Sequence, residues 1–357
     1  MTTAPTAPPK PLPLAKLHDK LSAVAGPVDG HATAPLRYGP VAMEVQALRA
    51  GCGLADRSWT GRLELLGADR QRFLNAYVTC EVKGLVAGQG AYGFFTNPKG
   101  GILSDVVVLA HADRLWLQLP AGQEEVIAAH LKKYILADRV EVRPLEDMLP
   151  LTLLGPRAGE ILGCDLPEPG DWRHLKTKIH GTEVELQRTG RLGAEAWTLW
   201  VSASIAGPLM EHLLGLPGVV PVGFEALEVL RTEAGIARFG RDFGVENFPQ
   251  ETGADEAAVS YTKGCYLGQE VVARIHYRGG VQKILRGLDF GDGPAPAPGT
   301  VLLHEGRESG KATTVVQSVA LGRPIGLGIL HRRAAEPGTR LEVPGGGVAE
   351  VRELPFV

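Results

Sequence analysis

The order of strand-like and helix-like segments constrains the fold of this chain more than any other feature. Strand and helix patterns alternate over residues 14–148 and again over residues 149–284. A Pro- and Gly-rich cluster, Gly291–Gly299, then precedes only short β-like runs. This order predicts two α+β units followed by a small β-barrel or sandwich over residues 285–357.

The ends and the charge of the chain argue against several classes of protein. Residues 1–13 are rich in proline and small side chains, which predicts a disordered arm rather than a secretory signal. Lys and Arg together number 37 against 40 Asp and Glu, so no basic stripe for nucleic acid is indicated. No uncharged apolar window reaches the roughly 18 residues typical of a membrane span. We therefore expect a cytoplasmic protein that binds neither nucleic acid nor membrane.

The spacing of cysteines and histidines predicts no metal site. The 4 cysteines form no C-x-x-C pair, so neither a zinc site nor a disulfide framework is indicated. They are Cys52, Cys80, Cys164 and Cys265. The histidines without paired ligand spacing, which we expect at the surface or hydrogen-bonded internally, are His111, His130 and His174.

Reactive side chains are most concentrated in the segment Thr262–Lys283. Cys265 lies two positions from Lys263, and nearby positive charge lowers the pKa of a thiol. A buried structural cysteine is the commoner arrangement, and no Cys–His–Asn spacing supports protease-like catalysis. Gly264 and Gly268 would permit a close approach of the backbone to a ligand. The segment therefore leaves a reactive and a structural cysteine both open.

Two further charged residues are candidates for a site. Arg231 lies beside the apolar stripe of a predicted helix and needs a partner. The partner is either an internal carboxylate such as Glu228 or Glu233, which the pattern favours, or an anionic ligand held in bidentate fashion. Asp105 begins an apolar strand after a Gly-rich turn, so it is a strand-end residue or a general base.

The segment Lys263–Glu270 resembles the K-G-C-[FY]-x-G-Q-E signature of the YgfZ family, folate-binding relatives of the glycine-cleavage T-protein. The matching residues are Lys263, Gly264, Cys265, Tyr266, Gly268, Gln269 and Glu270. Glu225–Gly235 is similar to the family's A-L-E-x-x-R-x-E-A-G-I helix, and Asp56–Leu63 is similar to its D-x-S-x-x-G-R-L stretch. The similarity covers nearly everything beyond the arm.

This resemblance implies a GcvT-like fold. Two ferredoxin-like α+β domains, interleaved in space, and a C-terminal β-barrel would form a ring around a central folate funnel. The implied cofactor is tetrahydrofolate or a reduced one-carbon derivative, gripped by Arg231 with Glu195 and Tyr266 as further contacts. For catalysis the resemblance points to Asp105 and Cys265, and it implies no metal.

The resemblance also implies a function. A YgfZ-like protein would bind tetrahydrofolate and support assembly or repair of iron–sulfur clusters in client proteins, with a folate-linked step at Cys265. The alternatives are an aminomethyltransferase, as in the glycine cleavage system, and a folate-binding module without chemistry. Ser104 replaces the first Asp of the T-protein's G-G-x-x-D-D pattern, and Glu195 lies one residue away from a glutamate of its G-Y-T-G-E-x-G-[FY]-E stretch. These departures favour the first function and leave open whether the protein is an enzyme.

Overall fold

The computed structural model describes residues 10–357. Residues 1–9 of the predicted disordered arm lie outside the described residues. Its last part is packed instead, because the backbone of Lys10 is hydrogen-bonded to His31 and Thr33, and Leu12 is buried. The helices of the described part are α1 (Ala15–Lys20), α2 (Val41–Ala50), α3 (Arg70–Asn75), α4 (Glu124–Lys132), α5 (Ala158–Leu162), α6 (Ala203–Leu214), α7 (Phe224–Glu233), α8 (Asp255–Ala258) and α9 (Gln269–Arg278).

The strands of the same part divide into a hairpin, two sheets and a barrel. They are β1 (Val24–Val28), β2 (Ala32–Arg37), β3 (Cys52–Asp56), β4 (Gly61–Leu66), β5 (Gly90–Thr96), β6 (Ile102–Ala110), β7 (Arg114–Leu119), β8 (Glu141–Pro144), β9 (Met148–Leu154), β10 (His174–Ile179), β11 (Thr182–Arg188), β12 (Ala196–Ser202), β13 (Val219–Pro221), β14 (Lys283–Asp289), β15 (Val301–His304), β16 (Arg307–Lys311), β17 (Thr314–Gln317), β18 (Pro324–His331), β19 (Arg340–Glu342) and β20 (Val348–Arg352).

Each α+β unit is built on one sheet. The first sheet has the order β5-β6-β7-β4-β8 and the second has the order β10-β11-β12-β9-β3-β13. Strand β3 precedes β4 in the chain but pairs with β9 and β13 in the second sheet, so the first region of the chain contributes a strand to the second unit. Among the strands named above, antiparallel pairing prevails, and β3 with β13 is the parallel exception.

The C-terminal region is a closed β-barrel. Its strands follow the order β14-β20-β19-β15-β16-β18, and pairing of β14 with β18 closes the ring, which leaves β17 attached to β18. Short strands separated by Gly and Pro allow this tight closure, which removes exposed edges. The architecture of two α+β units and a C-terminal barrel is the one that the order of elements predicted.

Strand β6 shows how side-chain alternation places a residue at the site. Side chains two apart on a strand share a face. Val106 and Val108 pack into the core beneath the first sheet, whereas Val107 and Leu109 join a second core that also contains residues of the barrel. Asp105 therefore lies on the face that is directed at the rest of the molecule.

Helix α7 lies between the second sheet and the barrel. Every residue from Ala226 to Glu233 is buried, because the helix is covered by α2, by β2 and by strands of the barrel. A helix buried on all sides must satisfy its charged groups internally. None of the described helices is both long and apolar enough to span a membrane.

Candidate functional site

A cavity lies where the first sheet, the loops of the second sheet and α7 meet. Four aromatic side chains line it, together with a set of charged ones. The aromatic residues are Trp59, Tyr92, Trp172 and Phe224. The charged residues are Arg57, Asp105, Arg191, Glu228, Arg231 and Arg238. Flat apolar walls with a few convergent polar groups are typical of a small-molecule site.

Asp105 presents a carboxylate to this cavity. Tyr92, on the neighbouring strand β5, donates a hydrogen bond from Oη to Asp105 Oδ2 at 2.9 Å. Burial raises the pKa of Asp105, and the hydrogen bond from Tyr92 and the charge of Arg191 only partly oppose that rise. A carboxyl group with a raised pKa is suited to exchange a proton with a bound substrate.

Trp172 and Arg191 enter the cavity from strained backbone positions. Their φ angles are +66° and +61°, in the left-handed region that non-glycine residues rarely adopt. The Trp172 ring is stacked on Tyr92 with a centroid distance of 6.2 Å, and the Arg191 guanidinium carbon lies 4.5 Å from the Tyr92 centroid. Strain of this kind concentrates at functional sites, where the surroundings hold a side chain in one position.

Arg57 and Arg191 have donors that the protein does not fully engage. The Nε atom of Arg57 is buried and has no hydrogen-bond partner among residues 10–357, and burial lowers the pKa of Arg57 to about 10. Arg191 donates to the carbonyl oxygen of Ala237 in a long contact of 3.4 Å. Because buried donors are normally satisfied, these guanidinium groups indicate an anionic or carbonyl-bearing ligand.

Arg231, by contrast, is saturated by internal partners. It donates to both carboxylate oxygens of Glu228 at 2.6 Å, to Asp242 at 2.7 Å, and to Ile236 O and Thr314 Oγ1 at 2.9 Å. An arginine has five N–H donors, so none is left for a ligand. The internal partner that the sequence pattern favoured is therefore present, and a grip on folate would require Arg231 to release one of these contacts.

The charge of Glu228 follows from the same cluster. Burial alone would raise the pKa of this carboxyl, but Arg231 and Arg238 lie beside it and bring the pKa down to about 2. Glu228 is consequently ionised and committed to its arginine partners. Although it lines the cavity, it does not offer a free carboxylate to a ligand.

Lys263 anchors the loop that carries the signature residues. Its Nζ donates to the carbonyl oxygens of Asn75 at 2.8 Å, Val78 at 2.9 Å and Cys80 at 2.5 Å. Burial lowers the pKa of Lys263 to about 8. The ammonium group is thus committed to the end of α3 and the segment that follows it, which is a structural role. The sequence-based expectation that Lys263 activates the thiol of Cys265 has no support in these contacts.

Gly268 explains why two sequence segments belong together. It precedes α9 with a φ of +86°, and a Cβ at this position would lie 2.5 Å from the carbonyl oxygen of Asn97. Only glycine permits that approach. The signature loop is therefore packed against the Gly-rich turn before β6, the strand of Asp105. Gln269 and Glu270 begin α9, and Gly264 lies exposed in the loop.

The remaining predicted folate contacts lie elsewhere. Tyr266 is buried beside Lys263, whose Nζ is 5.4 Å from the ring centroid, and its hydroxyl has no hydrogen-bond partner within residues 10–357. Glu195 is exposed and lines a separate groove with Arg49 and Glu233. The residues that line the cavity do not include Tyr266, Glu195 or Cys265. Their roles at a ligand stay predictions.

We expect Cys265 to be alkylated first among the cysteines at neutral pH. It is the exposed one, whereas Cys52 and Cys80 are buried and burial raises their pKa values to about 11 and about 12. Each unit by which the pKa rises lowers the thiolate fraction tenfold. Cys52 and Cys80 should therefore react at least about 100-fold more slowly than a thiol of ordinary pKa. Timed labelling with iodoacetamide and peptide mass spectrometry measures the order.

Cys265→Ser supplies the matched control for this experiment. Cys164 is half-buried with a pKa raised by burial, so it should become the first site of labelling in that variant. Labelling of Cys52 or Cys80 as rapid as that of Cys265 would contradict the exposed-thiol assignment.

Sequence motifs pointed to Asp105 but missed most of the residues around it. Arg57 was noted only as part of a family stretch, and Trp172 and Arg191 carry no motif signal. Their importance follows from positive φ angles and from convergence on Tyr92, which are tertiary properties. No pattern in the sequence alone distinguishes them.

Comparisons with known proteins agree with this architecture. Two family models match the chain, the GCVT N-terminal domain over residues 14–263 and the Glycine cleavage T-protein C-terminal barrel domain over residues 283–357. The aminomethyltransferase of Thermotoga neapolitana is 30% identical over 338 residues, covering 90% of this chain and 91% of its own. That of Rubrobacter xylanophilus is 28% identical over 326 residues, covering 90% and 85%.

A solved structure is similar over the whole chain. The glycine cleavage system aminomethyltransferase T from Bartonella henselae superimposes with a TM-score of 0.89 at 27% identity. The superposition covers 98% of each chain. The ring of two α+β units and a barrel is therefore shared with that protein.

Proposed function

We propose a function for this chain from the premise that it belongs to the glycine cleavage T-protein family, whose two domain models match most of its length. The function is that of a tetrahydrofolate-dependent aminomethyltransferase, the activity for which the similar proteins are named. Proteins of this family use tetrahydrofolate as their cofactor. The observation that carries the proposal is the carboxylate of Asp105, held by Tyr92 in an aromatic cavity.

The residues of the cavity fit a reduced folate. Such a molecule has a flat pterin, an aromatic linker and an anionic glutamate tail. Trp172 and Phe224 offer apolar walls, while Arg57 and Arg191 offer N–H donors for a carboxylate or a pterin carbonyl. When bound, tetrahydrofolate supplies the amine nitrogens that receive the one-carbon unit.

The protein's own groups have distinct tasks in this proposal. Asp105 accepts or returns a proton at the reacting nitrogen, since its raised pKa brings it closer to neutral pH. Tyr92 fixes the carboxylate by donating to Oδ2. Arg191, held over the Tyr92 ring, orients the ligand through its guanidinium N–H groups.

Two departures from the T-protein pattern bear on the fit. Ser104 is fully buried, and alternation along β6 directs it to the face opposite Asp105. Its replacement of an aspartate therefore leaves the carboxylate of the cavity in place. Glu195 lies in another groove. The glutamates of the T-protein's G-Y-T-G-E-x-G-[FY]-E stretch therefore have no counterpart at this cavity, and other groups must hold the edge of the pterin.

Arg57→Met and Arg191→Met should each weaken the binding of tetrahydrofolate. A hydrogen bond to a charged group contributes about 1.5–3 kcal/mol, which corresponds to a loss of roughly 10–100-fold in affinity. Isothermal titration calorimetry under anaerobic conditions measures the change. Arg340→Met is the matched control, since Arg340 is exposed on β19 of the barrel. This variant should bind tetrahydrofolate as tightly as the wild type. Unchanged affinity in both cavity variants would contradict the assignment.

The YgfZ-like function is a second candidate, favoured by one observation. Cys265 is exposed on the loop that precedes α9, where a client protein can reach it. In that case the cavity would bind folate, while the protein supports iron–sulfur clusters in its clients. No comparison reported above supports an iron–sulfur role.

One pair of measurements separates the two candidates. Purified protein is supplied with tetrahydrofolate and an aminomethylated lipoyl carrier protein, and methylene-tetrahydrofolate and ammonia are quantified. We expect turnover, and we expect Cys265→Ala to retain it. Folate binding without any transfer would contradict the aminomethyltransferase. The second candidate would replace the first if, in addition, iron–sulfur enzymes lost their clusters in a strain whose protein carries Cys265→Ala.

A further inference from the structure

Two histidines and a glutamate converge outside the cavity. His111 follows β6 of the first sheet, whereas His174 begins β10 and Glu185 lies in β11 of the second sheet. The potential ligand atoms of the three residues lie within 4.8 Å of one another. His174 and Glu185 are buried and His111 is nearly so. The cluster therefore joins the two α+β units at their contact.

Both imidazoles face the same carboxylate oxygen through their Nδ1 atoms. The distance from His111 Nδ1 to Glu185 Oε1 is 3.2 Å, and His174 Nδ1 contacts the same oxygen more closely. Zinc binds imidazole nitrogen and carboxylate oxygen at about 2.0–2.2 Å, so tetrahedral ligands are roughly 3.4 Å apart. Zinc binding would thus require His174 and Glu185 to separate and the most distant ligand atoms to approach each other, each by roughly 1 Å.

The outer contact of His174 is the one expected for a metal-binding imidazole. His174 Nε2 lies 3.3 Å from the carbonyl oxygen of Gln89, which orients the ring with Nδ1 toward Glu185. A histidine that binds a metal typically donates its other N–H to such a carbonyl. The Nε2 atom of His111 is buried and has no hydrogen-bond partner within residues 10–357, so this second imidazole has no outer contact of that kind.

A surface groove borders the cluster at Glu185. Glu185 lines a surface groove together with Lys176 and Trp200, through which water can approach. Three protein ligands and one water form a common zinc arrangement. Lys176 and Arg114 place positive charges near His111. Their charge opposes a divalent cation, so we expect weaker binding than at a closed site with four protein ligands.

We propose that His111, His174 and Glu185 form a binding site for a divalent transition-metal ion, with zinc as the preferred ion. The spacing of these residues in the sequence predicted no such site, whereas the fold brings the three side chains together. The ion would link the two α+β units without taking part in chemistry at the cavity, since none of its ligands lines the cavity. Failure of this proposal would leave the proposed transferase function untouched.

Zinc titration of the chelator-treated full-length protein tests the site. We expect one zinc per chain by calorimetry in chelator-free buffer, and a rise in thermal midpoint with zinc. His111→Ala, His174→Ala and Glu185→Gln should each weaken binding by about 100-fold or more, since even an outer contact is worth 10–100-fold. His304→Ala, on β15 of the barrel, is the matched histidine control and should leave affinity unchanged.

A second measurement does not depend on the variants folding. X-ray absorption of the stoichiometric wild-type zinc complex should show nitrogen and oxygen neighbours at about 2.0–2.2 Å, including imidazole scattering, and no sulfur at about 2.3 Å. The proposal would be overturned if the protein bound no stoichiometric zinc or if a sulfur neighbour were present. It would also be overturned if all three variants folded and bound zinc as tightly as the wild type. The cluster would then be two imidazoles sharing one buried carboxylate.

Discussion

Asp105→Asn should lower the rate of one-carbon transfer by about 10²–10⁴-fold, the usual contribution of a positioned acid or base. The amide keeps the shape of the side chain and can still contact Tyr92, but it cannot exchange a proton. Folate affinity should change far less than the rate. Single-turnover formation of methylene-tetrahydrofolate, combined with calorimetric binding of tetrahydrofolate, separates the two effects.

The pH dependence of the wild type follows from the same residue. Because burial raises the pKa of Asp105, its base form is lost on acidification at a higher pH than for an ordinary aspartate. The transfer rate should therefore fall as the pH drops through that raised pKa, and the Asn variant should lack this decline.

Stability provides an independent check on Asp105. A carboxyl group whose pKa is raised in the folded state binds its proton more tightly there than in the unfolded chain. Stability is therefore lost as the pH rises through the folded pKa, and removing the charge removes this loss. At neutral pH we expect Asp105→Asn to be at least as stable as the wild type in urea denaturation.

Ser104→Ala is the control for the measurements of transfer rate and folate binding. Ser104 precedes Asp105 on β6 but packs on the opposite face, so its substitution should leave the transfer rate nearly unchanged. An Asp105→Asn variant with wild-type turnover would exclude Asp105 as the acid or base. A variant that loses folate affinity as strongly as rate would assign the residue to binding alone.

Arg231→Met should lower the free energy of unfolding by about 3–5 kcal/mol, the usual cost of breaking a buried ion pair by removing one partner. Methionine keeps the apolar stem but leaves Glu228 and Asp242 buried without their main counter-charge. The contact with Thr314 also joins α7 to the barrel, so the loss should loosen that junction. Urea denaturation followed by circular dichroism measures it.

Acid titration adds a specific signature to the Arg231 prediction. Glu228 has a folded pKa of about 2, depressed below its unfolded value. Its contribution to stability is therefore complete above the unfolded pKa and is lost as the pH falls toward 2. In Arg231→Met this pKa should rise, and the acid-sensitive contribution should shrink. Arg340→Met, at an exposed position on β19 of the barrel, should behave like the wild type.

Arg231→Met also distinguishes a contact of Arg231 with the ligand from support of the fold. If Arg231→Met weakened folate binding without any loss of stability, the arginine would act at the ligand, as the family resemblance implied. Loss of stability is the outcome that its five internal contacts predict.

The sequence by itself determined the architecture and the position of Asp105. Alternating strand and helix patterns, followed by a Gly- and Pro-rich break, predicted two α+β units and a barrel, because both patterns depend on local geometry. The Lys263–Glu270 segment likewise indicated the glycine cleavage T-protein relationship, since a long motif of glycines and charged residues is specific. Its narrower YgfZ assignment is not established by the comparisons.

Only the tertiary structure decided which partners the charged groups have. The stripe around Arg231 showed that it needed a partner, but Asp242 and Thr314 come from other elements. Lys263 stands two residues from Cys265, and yet its ammonium is bound by the carbonyls after α3.

The histidine cluster shows the same limit most clearly. His111 and His174 lie far apart in the chain, and no ligand spacing relates them, but packing of the two sheets places both imidazoles at Glu185. Hydrogen bonds and ion pairs depend on distances of a few ångströms, which chain folding sets between residues of any separation. A sequence pattern reports only neighbours along the chain, so it predicts elements well and long-range polar contacts poorly.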